Sequence, residues 1–306
     1  MEQRPLGATG IQVPVYCLGT MTFGTPVAEP EAVGLIDRAL DLGLCFIDTA
    51  NSYEGYTRRP GTPGGVAEAI VGRALRGRWG RALVATKVGM KIGPDADDEG
   101  LGPAHLRREC ERSLRRLGAD AIGLYYLHRP DPVTPVAETV AAMADLITRG
   151  WVRYWGVSNH TPAQLGAVLE ACYQGGWPRP VACQPAWSPL RPEAETELIP
   201  MCRREGLAVV AYRVLEGGLL SGKYQAGKAP PAGSRGASQP DWVPFLDDPA
   251  MRSRWDGAAA AAACAGLDLY TWTLRAGLAV DGMTSLILGA TRPAQLEQAV
   301  AALARP

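Results

Sequence analysis

Short apolar runs alternate with longer amphipathic stretches along most of the chain. The apolar runs are VYCLG (15–19), LCFID (44–48), ALVATK (82–87), AIGLYYLH (121–128), VRYWGVS (152–158), VACQ (181–184), AVVAY (208–212) and TSLIL (284–288). They are nearly continuous rather than alternating in polarity, which is typical of parallel strands covered on both faces. The pattern therefore predicts a series of buried parallel strands.

The stretches between these runs carry apolar residues three or four positions apart, as amphipathic helices do. Examples are EAVGLIDRALDLG, HLRRECERSLRRLG, VAETVAAMADLITRG and PAQLEQAVAALAR. Eight strands and about eight helices in alternation predict an α/β fold, a (β/α)8 TIM barrel forming a single domain over residues 1–306. A short N-terminal β-hairpin is expected at QRPLGATGIQVPV. A doubly wound sheet is the alternative, but no G-x-G-x-x-G follows the first strand.

Two segments interrupt this alternation and predict long connections. They are SYEGYTRRPGTPG (52–64) and residues 225–255, where proline and glycine recur. Long loops in a compact domain are usually functional or disordered. Both segments follow the carboxyl ends of predicted strands, where barrel enzymes place their active sites.

Composition narrows the class of protein. The 306 residues carry 31 basic and 31 acidic side chains with no long basic run, so a nucleic-acid partner is not expected. Seven scattered cysteines without a C-x-x-C pair predict unpaired thiols in a cytoplasmic protein. No apolar run reaches the ~20 residues of a membrane span, and no signal peptide is expected. With three histidines and no H-x-H, a metal-dependent hydrolase lacks ligands, so no metal is expected.

Four polar side chains stand at or just after the ends of three consecutive predicted strands. Asp48 ends the second strand with Tyr53 five residues later, Lys87 ends the third strand, and His128 ends the fourth. The carboxyl ends of barrel strands meet on one rim, so these side chains should converge. Asp48 and Lys87 alone could form a structural ion pair, but the four together predict a catalytic site.

Eight motifs, in order along the chain, resemble the aldo-keto reductase superfamily, in its bacterial type and related to the branch that resembles potassium-channel β subunits. They are LGTMTFG, FIDTANSY, VATKVG, YYLHRPD, RYWGVSNH, QPAWSPL, AYRVLEGGLLSGKY and LGATRPAQL. The resemblance implies a catalytic tetrad of Asp48, Tyr53, Lys87 and His128, NADPH as cofactor, and reduction of an aldehyde or ketone to an alcohol. It leaves open a reductase-like regulatory subunit that binds cofactor with little turnover, and it is compatible with an oligomer.

The chemistry of the tetrad agrees with that implication. Carbonyl reduction needs a hydride for carbon, which a cofactor must supply, and a proton for oxygen. A phenol with a pKa near ~10 is a weak acid at neutral pH, and a neighbouring ammonium lowers that pKa. Lys87, held charged by Asp48, is therefore expected to lower the pKa of Tyr53 and make it the proton donor. His128 is expected to hydrogen-bond the substrate oxygen.

The stretch LEGGLLSGKY (215–224) nearly matches a nucleotide-binding P-loop. Tyr224 stands where a P-loop needs Ser or Thr for Mg²⁺, and the following QAGKAPPAG does not favour a helix. Glycine lets a backbone approach phosphate closely with its N–H groups. The stretch is therefore expected to cover the pyrophosphate of a dinucleotide rather than to bind ATP.

The resemblance also implies a set of cofactor-binding residues. These are Ser158, Asn159 and Gln184 for the nicotinamide carboxamide; Tyr212 for stacking on the ring; Gly217, Gly218 and Lys223 for the pyrophosphate; Ser234, Arg235, Thr291 and Arg292 for the adenosine phosphate; and Gln295 and Gln298 for the adenosine. Gly19, Thr20, Met21, Asp48, Arg213, Leu215 and Gly289 complete the set.

The chain departs from the family pattern at Arg213 and Val214, which replace Ser and Pro, and at His160, where an aromatic is common. It also departs at Gln298 and Ala299, which replace a Glu-Asn pair that often holds adenine, so weaker adenine contacts are expected. Arg213 is expected to bind the pyrophosphate or to reach toward the substrate. The last predicted helix ends just before Arg305, so the pocket walls are expected to come from loops. The expected lining, besides Met21, is Phe23, Tyr56, Arg129, Trp187 and Trp242, a mixture compatible with aryl aldehydes, keto-sugars or other ketones.

Overall fold

The computed structural model describes residues 1–225, 228–240, 243 and 248–304, and it contains a closed barrel of eight parallel strands behind a two-stranded sheet. The strands are β1 (Gln3–Pro5), β2 (Gln12–Pro14), β3 (Tyr16–Gly19), β4 (Phe46–Asp48), β5 (Leu83–Val88), β6 (Ile122–Leu127), β7 (Val152–Ser158), β8 (Ala182–Gln184), β9 (Ala208–Ala211) and β10 (Met283–Gly289). Strands β3 to β10 are neighbours in chain order, and β10 pairs with β3 to close the barrel. The predicted TIM barrel and hairpin are confirmed.

Helices surround the barrel. They are α1 (Glu29–Asp41), α2 (Val66–Ala74), α3 (Pro103–Leu117), α4 (Val136–Thr148), α5 (Pro162–Gly175), α6 (Leu198–Arg204), α7 (Arg235–Ser238), α8 (Pro249–Cys264), α9 (Leu269–Ala279) and α10 (Pro293–Ala304). Local sequence sets their starts: Thr161 accepts a hydrogen bond from the Gln164 N–H while the Gln164 side chain accepts from the Thr161 N–H, and Pro162 begins α5.

Helix α8 begins inside the segment that the sequence predicted to be a connection. Asp248 accepts a hydrogen bond from the Ala250 N–H at 2.9 Å, and Pro249 follows as the first helical residue. This Asp-Pro pair favours a helix start, although it lies among prolines and glycines that favour loops. Leu220 and Tyr224, after β9, are buried in one cluster with Met251 of α8. The chain that follows β9 is therefore anchored by a helix.

Side chains alternate between the inside of the barrel and the layer under the helices. On β6, Leu124 and Tyr126 belong to the interior cluster, whereas Tyr125 packs in the outer layer. Phe46 on β4 and Ala85 on β5 also face the interior. Because side chains alternate with a period of two along a strand, the next inward position at each carboxyl end lies at the barrel rim.

The hairpin formed by β1 and β2 closes the amino-terminal end of the barrel. Leu6 and Val13 are buried in the interior cluster with the first inward residues of the strands. Gly7 has φ of 55°, and a Cβ there would lie 2.4 Å from the carbonyl oxygen of Val181, just before β8. Only glycine fits this turn without a clash. The opposite, carboxyl-terminal rim is left for the site.

Among the helices of the described ranges, none is long and apolar enough to cross a membrane.

Candidate active site

The alternation of the strands delivers polar side chains to the carboxyl-terminal rim. Five polar side chains lie two positions beyond an inward residue, at the end of a strand or directly after it. They are Asp48 after Phe46, Lys87 after Ala85, His128 after Tyr126, Gln184 after Ala182 and Tyr212 after Val210. In each case a period-two step from an interior position fixes the direction of the side chain. All five side chains thus come from the carboxyl ends of strands of one barrel.

Lys87 is the centre of the catalytic candidates, and its side chain is fully buried. Its ammonium donates to the Asp48 carboxylate at 2.5 Å, to the Thr49 carbonyl oxygen at 2.9 Å and to the Tyr53 hydroxyl at 3.0 Å. These acceptors satisfy all three N–H donors of a lysine. The other carboxylate oxygen of Asp48 accepts from the Gln184 amide at 2.8 Å. The ammonium is thereby held charged beside the phenol.

The loop after β4 fixes the position of Tyr53. The Asn51 N–H donates to the Lys87 carbonyl oxygen at 3.1 Å, and the Tyr53 N–H donates to the Ala50 carbonyl oxygen at 3.1 Å. The Ala67 N–H, at the start of α2, donates to the Tyr53 carbonyl oxygen at 3.0 Å. Tyr53 is therefore held by both β5 and α2, although it lies in a loop.

Charges around the site set its protonation. Burial disfavours the ammonium of Lys87, but Asp48 and Tyr53 outweigh burial and raise the pKa of Lys87 to about 12. Burial raises the pKa of Tyr53 above its ordinary value, although Lys87 acts in the opposite direction. Lys87 therefore lowers the pKa of Tyr53 as expected, but the net pKa is raised, because desolvation of the phenolate outweighs the nearby ammonium. The phenol keeps its proton at neutral pH.

His128 completes the group of four. Its ring meets the Tyr53 ring edge to face, with centroids 5.9 Å apart. Burial lowers the pKa of His128 well below its ordinary value, and the positive charges of Lys87, Arg58 and Arg129 lower it further. The imidazole is therefore neutral near pH 7, with one N–H donor and one acceptor nitrogen.

The residues expected to hold the carboxamide form one hydrogen-bonded cluster. The Ser158 hydroxyl donates to the Gln184 carbonyl oxygen at 2.9 Å, and the Asn159 amide donates to the His128 carbonyl oxygen at 2.8 Å. The Tyr212 hydroxyl donates to the Asn159 amide oxygen at 2.6 Å. The structure brings these groups together beside the tetrad, and the half-buried Tyr212 ring is flat, as stacking on a nicotinamide requires.

The glycine-rich stretch after β9 forms a turn that only glycine adopts readily. Gly217 and Gly218 have φ of 67° and 104°, and a Cβ on Gly218 would lie 3.0 Å from the Lys223 ammonium. Glu216, fully buried, anchors the turn through Arg213 at 3.2 Å and Arg191 at 3.1 Å. Arg213 was expected to bind the pyrophosphate or to reach toward the substrate. The structure shows its ion pair with Glu216, and both expected roles stay predictions. Successive glycines suit a backbone that approaches phosphate.

The residues expected at the adenosine end lie on two elements. Ser234 caps α7 by accepting from the Ala237 N–H at 3.3 Å, and Arg235 donates to the Tyr56 hydroxyl at 2.8 Å. On α10, the Gln295 side chain accepts from the Thr291 N–H at 2.7 Å and from the Arg292 N–H at 3.2 Å.

These hydrogen bonds cap the first turn of α10 with an amide side chain of the protein itself, and the Arg292 side chain is exposed. The other residues expected around the cofactor are the buried Thr20, the half-buried Met21 and Leu215, Gly19 at the end of β3, and the exposed Gly289, Lys223 and Gln298. Their contacts with a cofactor stay predictions. The donor set, with amides and hydroxyls beside the tetrad and glycines and arginines farther out, fits a nicotinamide dinucleotide.

The residues expected to line the substrate pocket divide into two groups. Tyr56 is half-buried and Arg129 is exposed, and both lie in loops at the mouth. Phe23 is fully buried, and Trp187 is 2% exposed with its indole N–H donating to Glu195 at 2.7 Å. Phe23 and Trp187 pack in the hydrophobic core, and their expected role in lining the pocket stays a prediction. Trp242 lies outside the described residues.

Arg58 was missed by sequence reasoning. It lies in the loop after β4 and donates to the Ser52 and Lys91 carbonyl oxygens, each at 2.7 Å. Its charge lowers the pKa of both Tyr53 and His128. The only sequence indication was the Arg58-Arg59 pair in a long loop, and nothing in that pair indicates which arginine turns inward.

Within the described part of the chain, no group of three or more His, Cys, Asp or Glu side chains could hold a metal ion. A TIM barrel with a buried Lys–Asp pair beside a tyrosine and a histidine, and with a glycine turn after β9, is typical of nicotinamide-dependent oxidoreductases. Comparison with known proteins identifies the family: the model of the Aldo/keto reductase family matches residues 16–306, and the chain belongs to that family.

Similar proteins are named as oxidoreductases or as a potassium channel subunit. A Bacillus subtilis (strain 168) protein, uncharacterized oxidoreductase YrpG, is 38% identical over 79% of this chain and 74% of its own length. The L-glyceraldehyde 3-phosphate reductase of Escherichia coli (strain K12) is 29% identical over 99% of this chain and 88% of its own length. A probable voltage-gated potassium channel subunit beta of Arabidopsis thaliana is 33% identical over 75% of this chain and 69% of its own length. The family uses NAD(P)H to reduce carbonyl compounds, and this chain is an NAD(P)H-dependent oxidoreductase.

Proposed function

We propose that this protein reduces an aldehyde or ketone to an alcohol with NADPH, and that Tyr53 donates the proton. The observation that carries the proposal is the Lys87 ammonium, which donates to both Asp48 and Tyr53 at 2.5 and 3.0 Å in a buried site. Such a group can stabilise the phenolate that remains after the proton leaves. We propose further that residues 1–306 act as one domain.

Each residue has a separate task in this mechanism. When bound, the nicotinamide supplies the hydride that goes to the carbonyl carbon. The Tyr53 O–H breaks as its proton goes to the carbonyl oxygen, and the electron pair stays on the phenolate oxygen beside Lys87. Asp48 keeps Lys87 charged. Neutral His128 donates a hydrogen bond to the same carbonyl oxygen and so fixes its approach.

The test uses the purified protein, NADPH and a panel of aldehydes and ketones, and it measures the rate at which the absorbance of NADPH falls. Tyr53→Phe keeps the ring and removes the acid, so kcat should fall by about 10²-fold or more while NADPH affinity stays nearly the same. Turnover close to wild type in Tyr53→Phe would remove Tyr53 from the mechanism.

The plant relatives named as potassium channel subunits supply a second outcome for the same assay. Tight NADPH binding with no turnover of any carbonyl in the panel would favour a cofactor-binding regulatory subunit instead.

A further inference from the structure

Arg58 occupies an unusual position at the mouth of the site. The loop after β4 contains two consecutive arginines, of which Arg59 is exposed and Arg58 is half-buried. Arg58 spends two of its N–H donors on the main-chain oxygens of Ser52 and Lys91. Both acceptors are neutral, and three of the five N–H donors of a guanidinium remain for other groups.

The charge of Arg58 has no carboxylate at ion-pair distance among the residues that the structure describes. Glu54 acts on it from farther away, but its carboxylate accepts hydrogen bonds from Thr62 and from the Gly64 N–H. A charge that is partly removed from water and bonded only to neutral groups is costly for a fold. An anionic ligand at this place would remove the cost.

The guanidinium lies close to the reacting groups, because it donates at 2.7 Å to the carbonyl oxygen of Ser52, which directly precedes Tyr53. Its positive charge acts on Tyr53 and on His128, the two side chains expected to hold the substrate oxygen. Arg129, directly after His128, acts on the same histidine and on Arg58 itself. Arg129 pairs with Glu99 at 3.0 Å, and both side chains are about half exposed, so this ion pair is weak and exchangeable.

From these observations we infer that the enzyme prefers carbonyl substrates that carry an anionic group, a carboxylate or a phosphate, and that Arg58, assisted by Arg129, binds that group. The inference rests on the proposed function. Tyr53 and His128 would hold the carbonyl oxygen while the two guanidiniums bind the other end of the substrate. Arginine suits this task because its planar N–H groups match both anions.

A purely structural role for Arg58 is the competing explanation, because its two hydrogen bonds also join the loops after β4 and β5. The two roles differ in what they affect. A structural role acts on every substrate alike, whereas anion recognition acts only on charged substrates. The decisive quantity is therefore the ratio of kcat/KM for an anionic substrate to kcat/KM for its neutral analogue.

The experiment compares 4-carboxybenzaldehyde with its methyl ester, which has the same ring and carbonyl but no charge. In the wild type, the acid should have at least about a tenfold higher kcat/KM than the ester, the usual contribution of one charge-assisted hydrogen bond. Arg58→Gln should remove about tenfold of that ratio, mainly through KM. Arg59→Gln, its matched neighbour, should leave the ratio unchanged, and Arg129→Gln should lower it less than Arg58→Gln. Glyceraldehyde 3-phosphate and glyceraldehyde test the phosphate in the same way.

Two measurements keep the result decisive if Arg58→Gln is poorly folded. The thermal midpoint of each variant reports folding, and the wild-type ratio should fall as salt rises from 0.02 to 0.5 M if charges bind the substrate. A wild-type ratio near one for both substrate pairs, or an equal loss for acid and ester in Arg58→Gln, overturns the inference while leaving the reductase proposal standing. Failure to reduce any of these four aldehydes, when other carbonyls of the panel are reduced, overturns the inference alone, whereas no turnover of any carbonyl overturns both.

Discussion

At the scale of single residues, the site depends on one buried lysine whose three N–H donors are all occupied. The sequence was sufficient to predict that Asp48, Lys87 and His128 meet at one rim, because a polar residue at the inward position of a strand end is a local pattern. It was not sufficient to predict the net pKa of Tyr53, which depends on how deeply the finished barrel buries the phenol. The same is true of Phe23 and Trp187, whose burial is decided by neighbours distant in sequence.

Lys87→Met should remove most of the reductase activity. The lost ammonium no longer lowers the pKa of Tyr53 or stabilises its phenolate, so kcat should fall by about 10²-fold or more. The alkaline limb of the pH–rate profile should move to higher pH, because the charge of Lys87 then no longer opposes the effect of burial, which raises the pKa of Tyr53. Steady-state kinetics between pH 6 and 10.5 measure both effects.

Lys91→Met, which changes a lysine in the loop after β5, is the matched control and should keep the wild-type profile. If Lys87→Met loses little activity and its pH–rate curve is unchanged, the Asp48–Lys87 pair is structural only.

At the scale of elements, helix ends and loops carry the contacts that the sequence located least well. The strands matched their apolar runs closely, because an uninterrupted apolar run is a local property. The start of α8 was missed, since Asp248 and Pro249 lie among loop-forming residues. The path of the loop after β4 could not be predicted either, because it depends on the hydrogen bond from Arg58 to the Lys91 carbonyl oxygen, which lies in a different loop.

Short elements after the last strands should decide between NADPH and NADH. Arg235 on α7 is oriented by its 2.8 Å hydrogen bond to Tyr56, and Arg292 precedes α10 with its guanidinium exposed. If both bind the 2′-phosphate, Arg235→Ala and Arg292→Ala should each weaken NADPH binding by about tenfold or more and leave NADH binding nearly unchanged. Fluorescence titration with both cofactors measures this.

Arg149→Ala, at the end of α4 and far from the mouth, serves as the control for loss of charge. Equal affinity of the wild type for NADH and NADPH would exclude the phosphate assignment.

The hairpin that closes the barrel offers a matched pair of glycines. Gly7 has φ of 55°, and a Cβ added there would lie 2.4 Å from the Val181 carbonyl oxygen. Gly10 has φ of 77°, and a Cβ added there would have no atom within 4 Å. Gly10→Ala should cost about 1 kcal/mol of unfolding free energy from backbone strain alone. Gly7→Ala should cost roughly 2–4 kcal/mol, because a backbone clash adds to the strain. Urea unfolding curves compare the two, and equal losses would show that the hairpin moves away freely.

At the scale of the whole molecule, protonation couples folding to pH through all three histidines of the chain. Burial lowers the pKa of His105, of His128 and of His160 below the ordinary value. Below about pH 6.5 the histidines of the unfolded chain therefore bind protons that those of the folded chain do not bind. As a result, the free energy of unfolding falls as pH falls. The slope for each histidine is about 1.4 kcal/mol per pH unit between its folded and unfolded pKa values.

Stability should therefore be nearly constant from pH 7 to 8 and should decline steadily from pH 6.5 to 5. Urea unfolding at each pH measures the slope, and His105→Gln should make it shallower. A free energy of unfolding that stays level down to pH 5 would contradict these pKa directions.

The hairpin has one more consequence, for the use of this protein as a surface-bound catalyst. Leu6, Gly7 and Val13 lie at the amino-terminal end of the barrel, and Ala8 at the hairpin turn is exposed. The tetrad lies at the other end. Linkage to a solid support through position 8 would therefore point the mouth outward into the flowing solution. Attachment through the loop of Arg58 would instead press the entrance against the support, so the point of linkage alone should determine the activity of the immobilised protein.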